Sequence, residues 1–229
     1  MLKQDSADAV VLAPAGSATA SVIWLHGLGA DGNDFVPIVP EFRLPAGMAV
    51  RFVFPHAPVR PVTINNGMRM RAWYDILELS AGAAQDEAGI RESAAILAKF
   101  IQRERDAGIA AGRIVVAGFS QGGAIALHQA LRHPERLAGV MALSTYLPLR
   151  TTFAAESASA NRELPILMCH GSSDPVLPLR LGTSSRDLLR AAGYGIEWKE
   201  YPMQHQLCLE EIRDIATWLR ARLPPASAC

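Results

Sequence analysis

The chain has 229 residues, half of them apolar, and its 22 basic side chains balance 22 acidic ones. That length suffices for an α/β domain with a substantial core, and the zero net charge offers no basic field for nucleic acid or an anionic membrane. No apolar run approaches the roughly 20 residues that span a bilayer, and residues 1–8 lack the apolar core of a secretory signal. We therefore expect a cytoplasmic protein with no nucleic-acid partner and no stable membrane insertion.

Apolar runs and helical periodicities alternate along the chain, which predicts strands followed by helices. The predicted strands are residues 9–13, 21–25, 49–54, 113–118, 138–143, 165–170 and 195–201, and the predicted helices are 33–39, 86–106, 121–132, 179–192 and 206–222. Near-continuous apolar strands between helices predict an α/β fold with a mostly parallel central sheet covered on both faces. No repeat or linker divides the chain, so we expect one domain, residues 1–229, with mobile tails of about 1–8 and 223–229.

The turn between the strand at 113–118 and the helix at 121–132 reads Gly118-Phe119-Ser120-Gln121-Gly122. A serine between glycines on a strand-to-helix turn is typical of the nucleophile elbow of α/β-hydrolases, where two backbones approach closely. The alternative is an ordinary turn in which the serine caps the helix. We predict that Ser120 is a nucleophile.

A serine nucleophile needs a base and an acid, and in this fold they follow it in the order acid, then histidine. The histidines just behind Ser120 leave no room for an acid loop, and His170 ends a predicted strand. His205, which lies beyond the last predicted strand, is therefore the predicted base. Asp174, which follows the strand that His170 ends, is the predicted acid; the alternative is a turn residue or helix cap.

An oxyanion hole would need two backbone N–H donors near the serine. One is expected from Gln121, the residue after the nucleophile, and the other from the glycine-rich loop 26–32 after an early strand. We predict Leu28 as the second donor; the alternative for this loop is a plain glycine turn.

Six stretches, taken together, resemble the phospholipase/carboxylesterase family, which includes bacterial carboxylesterases and acyl-protein thioesterases. In chain order they are His26-Gly27-Leu28-Gly29-Ala30-Asp31-Gly32, Phe54-Pro55-His56-Ala57-Pro58, Ala72-Trp73-Tyr74-Asp75-Ile76, Gly118-Phe119-Ser120-Gln121-Gly122-Gly123, Leu147-Pro148-Leu149 and His170-Gly171-Ser172-Ser173-Asp174-Pro175-Val176-Leu177-Pro178. The resemblance implies an α/β-hydrolase fold without a large cap domain, and a cytosolic esterase for short to medium acyl chains. It also implies the same triad and oxyanion donors, and it places Tyr146 and Leu181 at the acyl site.

The segment from Pro55 to Ala84 is long for a connection in a compact domain, and such loops are usually functional or disordered. Its Asn66-Gly67 pair predicts a hairpin turn. We expect a short flap beside the active site, with Trp73 and Ile76 contacting the acyl chain. The alternative is a surface decoration whose aromatic residues pack in the core.

These observations predict a serine hydrolase of small-molecule acyl esters or thioesters that needs no cofactor, and they leave a homodimer open. Neither a C-x-x-C pair nor an H-E-x-x-H helix is present, so we expect no metal site. Two other readings remain. One is a catalytically silent α/β-hydrolase that acts as a small-molecule receptor or interaction module, and the other is a peptidase or acyltransferase on the same fold.

Overall fold

The computed structural model describes residues 1–78 and 84–225, which form a central sheet, a separate hairpin and flanking helices. The strands are β1 (Leu2–Asp5), β2 (Ala9–Ala13), β3 (Ala20–Leu25), β4 (Val50–Pro55), β5 (Val59–Val62), β6 (Met68–Arg71), β7 (Ile114–Phe119), β8 (Gly139–Leu143), β9 (Ile166–Gly171) and β10 (Ile196–Tyr201). The α-helices are α1 (Glu87–Asp106), α2 (Gln121–Arg132), α3 (Phe153–Glu156), α4 (Leu179–Ala191) and α5 (Leu209–Arg222). Short 3-10 helices cover Val36–Phe42, Thr63–Asn65, Ala111–Arg113 and Ser159–Asn161.

The central sheet has the strand order β1-β2-β4-β3-β7-β8-β9-β10. From β4 to β10 every neighbouring pair in that order is parallel, whereas β1 and β2 are antiparallel additions at one edge. The predicted mostly parallel sheet is therefore confirmed. Its parallel strands end at one edge, where the loops that follow them meet.

Alternating side chains of the strands enter two separate apolar cores, one on each face of the sheet. In β3, Ile23 packs with residues of α1, α2 and α4, whereas the neighbouring Trp24 packs with residues of α5 and of the 3-10 helix 36–42. Both side chains are almost completely buried. The predicted helical cover on both faces is thus confirmed.

Three expectations about local structure differ from what is observed. The predicted helix 33–39 is instead a 3-10 helix at Val36–Phe42; Pro40 inside it cannot donate the i→i−4 hydrogen bond, which disfavours a regular α-helix here. The expected tail 1–8 contains β1, which pairs with β2. At the other end, Leu223 is fully buried in the second core, and residues 226–229 of the expected tail lie outside the described residues.

The hairpin of β5 and β6 confirms the turn predicted from Asn66-Gly67. The strands pair antiparallel, and both turn residues have positive φ, 55° for Asn66 and 74° for Gly67. Its connecting loop is fastened by the backbone N–H of Ile64, which donates to the carbonyl of Ile76 at 2.9 Å. This bond holds the turn of the hairpin against the segment that follows it.

Among residues 1–78 and 84–225, no helix is both long enough and apolar enough to cross a bilayer.

Helix α5 buries the acidic residue Glu211 in its first turn, and this burial raises the pKa of the carboxyl group to about 8. A buried carboxyl group with such a pKa is mainly neutral at pH 7, because the interior disfavours its charged form.

Candidate active site

Ser120 lies on the sharp turn between β7 and α2, with φ 54° and ψ −120°. A non-glycine residue with positive φ is strained and persists only where the surrounding structure holds it. Here the Ser120 N–H donates to the carbonyl of Leu143 at 2.8 Å, and the hydroxyl of Thr145 donates to the Ser120 carbonyl at 2.7 Å. The serine side chain makes no capping hydrogen bond to α2, contrary to the alternative reading of an N-cap.

The glycines around Ser120 are required by close backbone contact. A Cβ on Gly118 would lie 2.3 Å from the carbonyl of Gly122, and a Cβ on Gly122 would lie 2.5 Å from the carbonyl oxygens of Leu25 and His26. Backbone atoms cannot move away as a flexible side chain would. The two glycines therefore let β3, β7 and α2 meet directly beneath the serine.

Three loops at the carboxyl edge of the sheet bring Ser120, Asp174 and His205 together. His205 Nε2 is 2.9 Å from Ser120 Oγ, and His205 Nδ1 is 2.6 Å from Asp174 Oδ2. The other carboxylate oxygen, Oδ1, accepts the N–H groups of Val176 and Leu177 at 2.9 and 2.8 Å. The side chain of Asp174 is fully buried and that of His205 is 15% exposed.

These contacts fix the tautomer of His205. The Asp174 carboxylate can only accept, so Nδ1 carries the proton and donates it, which leaves the Nε2 lone pair facing the serine hydroxyl. The ring of Phe119 lies 4.7 Å from the imidazole, centroid to centroid, and supports its orientation. The arrangement provides a nucleophile, a base and a group that orients the base.

His170 supports the acid loop, a role the sequence did not reveal. It is buried at the end of β9, and its Nε2–H donates to the carbonyl of Leu177 at 2.8 Å. Burial lowers the pKa of His170, so the ring is neutral at pH 7. Because Leu177 in turn donates its N–H to Asp174, the histidine stabilises the loop that aims the carboxylate. A histidine shortly before the predicted acid was the available signal.

The loop after β3 runs beside the serine, with Leu28 and Gln121 both lining the same pocket as Ser120. Among the described residues, the N–H groups of Leu28 and Gln121 have no acceptor within the chain. His26 holds the start of the loop, because its Nδ1–H donates to the Gly27 carbonyl at 2.7 Å and its Nε2 accepts the Ala57 N–H at 3.0 Å. Burial lowers the pKa of His26 to about 4, so this neutral, doubly bonded state is maintained at pH 7.

The pocket at the serine has a volume of about 340 Å³. Two predicted acyl contacts, Ile76 and Tyr146, line it. Leu181 instead lines a neighbouring cavity of about 610 Å³, which shares Ile76 and Tyr146 with the first. Tyr74, which the sequence did not single out, lies at the boundary, and its hydroxyl is 3.0 Å from that of Tyr146.

Trp73 is a correction, since its side chain is completely buried and lines neither cavity. Its indole N–H donates to the carbonyl of His26 at 2.9 Å, and its backbone N–H donates to the Gln121 side-chain oxygen at 2.7 Å. The Gln121 amide also donates to the Tyr74 carbonyl at 2.7 Å. Trp73 therefore packs under the site, as the alternative interpretation of this segment had it, and fixes the flap to the nucleophile turn.

No group of three or more histidine, cysteine or acidic side chains with the geometry of a metal site occurs in the described parts of the chain.

Comparisons with known proteins show which family of proteins the chain is similar to. The family model described as Phospholipase/Carboxylesterase matches residues 6–223. Acyl-protein thioesterase 1 of Neurospora crassa is 45% identical over 215 residues, which cover 90% of this chain and 88% of that protein. Acyl-protein thioesterase 1 of Gibberella zeae is 40% identical over 225 residues, covering 94% and 96%.

Among solved structures, Zea mays acyl-protein thioesterase 2 matches with a TM-score of 0.84 at 31% identity, covering 94% of this chain and 98% of that chain. Arabidopsis thaliana SOBER1 matches with a TM-score of 0.85 at 31% identity, covering 89% and 99%. The fold is that of the α/β-hydrolases, and the chain belongs to the phospholipase/carboxylesterase family of hydrolases.

Proposed function

We propose that this protein hydrolyses carboxylic esters and thioesters of short to medium acyl chains through a covalent acyl-enzyme. The observation that carries the proposal is the continuous hydrogen-bonded chain from Ser120 Oγ through His205 to Asp174, with both contacts at 2.9 Å or less. A complete set of nucleophile, base and orienting acid is the signature of acyl transfer. The relatives named acyl-protein thioesterases support thioesters as a second substrate class.

In the first half of the reaction, Ser120 Oγ attacks the acyl carbon while His205 Nε2 takes the hydroxyl proton. The carbonyl oxygen of the substrate becomes an oxyanion, to which the N–H groups of Leu28 and Gln121 donate. Collapse of this intermediate breaks the bond to the leaving alcohol or thiol, which receives the proton from His205. Asp174 stabilises the imidazolium while it exists.

In the second half, water attacks the acyl-serine by the same route. His205 takes a proton from the water and returns it to Ser120, and the free carboxylic acid leaves. One oxyanion donor is typically worth about 3–4 kcal/mol in the transition state, so the two amides account for much of the rate.

The lining of the pocket supports an apolar acyl group of limited length. Ile76, Tyr146 and Leu177 form one wall, and the hydroxyl pair of Tyr74 and Tyr146 lies between this pocket and the neighbouring cavity. Each buried methylene contributes about 0.8 kcal/mol, or roughly a fourfold gain in specificity constant, until the wall ends.

The test is a panel of p-nitrophenyl esters and matching S-acyl thioesters from two to sixteen carbons, with Ser120→Ala as the control. We expect the specificity constant to rise over the first few carbons and then to level off or fall, and we expect the control to be inactive. A fluorophosphonate probe should label the wild-type chain at Ser120. Binding of acyl compounds with neither turnover nor labelling would favour the silent-receptor alternative.

A further inference from the structure

The pocket at Ser120 is not uniformly apolar, and its one acidic side chain among the described residues is Asp34. This residue follows the glycine loop that carries Leu28 and lies on the exposed rim of the pocket. In residues 1–78 and 84–225, its carboxylate accepts no hydrogen bond and meets no cation. The described contacts therefore leave the charge of this carboxylate without a partner in those residues.

The residue after Asp34 in the chain is an aromatic side chain that packs close to the catalytic histidine. Phe35 is almost buried, and its ring lies 5.8 Å from the ring of Phe119, which in turn lies 4.7 Å from the imidazole of His205. Asp34 precedes Phe35 in the chain and lines the pocket together with Phe119 and His205. The leaving group emerges on the His205 side of this pocket, because it must receive the proton from His205 Nε2.

The apolar wall of Ile76, Tyr146 and Leu177 comes from other segments, namely the flap and the loops after β8 and β9. The pocket thus has an apolar wall suited to the acyl chain and a rim that is negatively charged. Partial burial and the nearby Asp31 carboxylate raise the pKa of Asp34. A substrate cation would supply a partner for this carboxylate.

We propose that Asp34 selects cationic leaving groups, meaning alcohols or thiols that carry a quaternary ammonium or a protonated amine. The inference rests on the hydrolase function proposed above and adds the class of leaving group. Asp34 acts on binding and specificity and takes no part in proton transfer.

The test compares butyrylcholine with its uncharged carbon isostere, 3,3-dimethylbutyl butyrate. The two esters share the acyl chain and the shape of the alcohol, so the ratio of their specificity constants isolates the charge. We expect the wild-type ratio to exceed one, and D34N to lower it about fivefold, the upper range for a partly exposed ion pair. D34E should retain the preference, and 0.5 M salt should weaken it in the wild type.

D31N is the matched control for charge. The Asp31 carboxylate lies close in sequence but does not line the pocket, and its Oδ1 accepts the Asn33 N–H at 2.7 Å, a bond that an amide oxygen can keep. We expect D31N to change the ratio less than twofold. A second substrate pair, S-butanoyl-cysteinyl dipeptides ending in lysine amide or norleucine amide, distinguishes a basic thiol from a quaternary ammonium alcohol. A preference for the cationic member of either pair that is lost in D34N supports the proposal.

Two results would overturn it, and they are distinguishable. If all four substrates are hydrolysed with ratios near one, or with ratios that D34N leaves unchanged, the inference about Asp34 fails while the hydrolase function stands. If none is hydrolysed and no p-nitrophenyl ester is either, the proposed function fails with it.

Discussion

Replacing Asp174 by asparagine tests the orientation of the base, because the structure dictates how the new side chain must lie. Oδ1 of Asp174 accepts two backbone N–H groups, from Val176 and Leu177, at 2.9 and 2.8 Å. The asparagine carbonyl oxygen must take this position, since an NH₂ group there would face two donors. The asparagine NH₂ then takes the position of Oδ2, 2.6 Å from His205 Nδ1 in the wild type.

An NH₂ group at that position can only donate, so His205 Nδ1 must accept and the ring proton moves to Nε2. Nε2 then points its hydrogen at Ser120 Oγ and can no longer take the serine proton. Such a tautomer change in a serine–histidine–aspartate site lowers kcat about 10⁴-fold, which corresponds to roughly 5 kcal/mol of transition-state stabilisation. We expect a loss of this size in Asp174→Asn, measured as kcat on a p-nitrophenyl ester.

The matched control is Asp187→Asn, which removes an exposed carboxylate on α4 that pairs with its neighbour Arg186. It should retain wild-type kcat, and both variants should keep the far-UV circular dichroism of the wild type. Nitrogen NMR of the imidazole should show the proton on Nε2 in Asp174→Asn. A folded Asp174→Asn variant that loses less than tenfold in kcat would contradict the assignment of Asp174 as the orienting acid.

Three further changes give distinct outcomes. Ser120→Ala and His205→Ala should each abolish turnover. The double variant should lose little more activity than either single variant, because the two groups act as a unit. Additive losses in kcat/KM would argue against a shared mechanism. The pKa of the Glu211 carboxyl group is raised to about 8 in the folded protein, so the free energy of unfolding should fall as pH rises from about 5 to 8, by about 3–4 kcal/mol from this group. Urea titrations at about pH 5 and pH 8 should show that Glu211→Gln lacks this contribution to the pH dependence of the free energy of unfolding. The same pH dependence in the variant and the wild type would refute the buried neutral acid. Ile76→Ala should flatten the rise of the specificity constant with acyl length. The control Leu77→Ala changes an exposed residue next to Ile76 that does not line the pocket, so it should leave this dependence on acyl length unchanged. Equal dependence on acyl length in the two variants would exclude Ile76 from the acyl wall.

Signals confined to a few adjacent residues predicted the structure best. Asn66-Gly67 gave the hairpin, because few other residues adopt positive φ at two successive turn positions without strain. Gly118 and Gly122 indicated the nucleophile turn, because the approach of the backbones excludes any Cβ. The strand-end placement of Asp174 followed from parallel strands having their carboxyl ends on one edge.

Interactions between distant segments were harder to predict. Trp73 was expected to contact substrate because an aromatic residue in a flap fits that role, but its indole N–H found a buried acceptor on His26, 47 residues away. Leu181 was expected at the acyl site, yet it faces a neighbouring cavity across the tyrosine pair. The support from His170 was not foreseen, because it depends on the turn that Leu177 completes.

The sequence by itself determined the α/β alternation, the two glycine turns and the order of serine, acid and histidine. These depend on backbone conformation and on apolar periodicity, which short stretches of sequence specify. Only the tertiary structure decided that His205 lies 2.9 Å from Ser120 across 85 residues, that β1 extends the sheet, and that Asp34 lines the pocket with no partner among the described residues. Such distances and missing partners arise from packing between segments far apart in the chain, and no local pattern of residues encodes them.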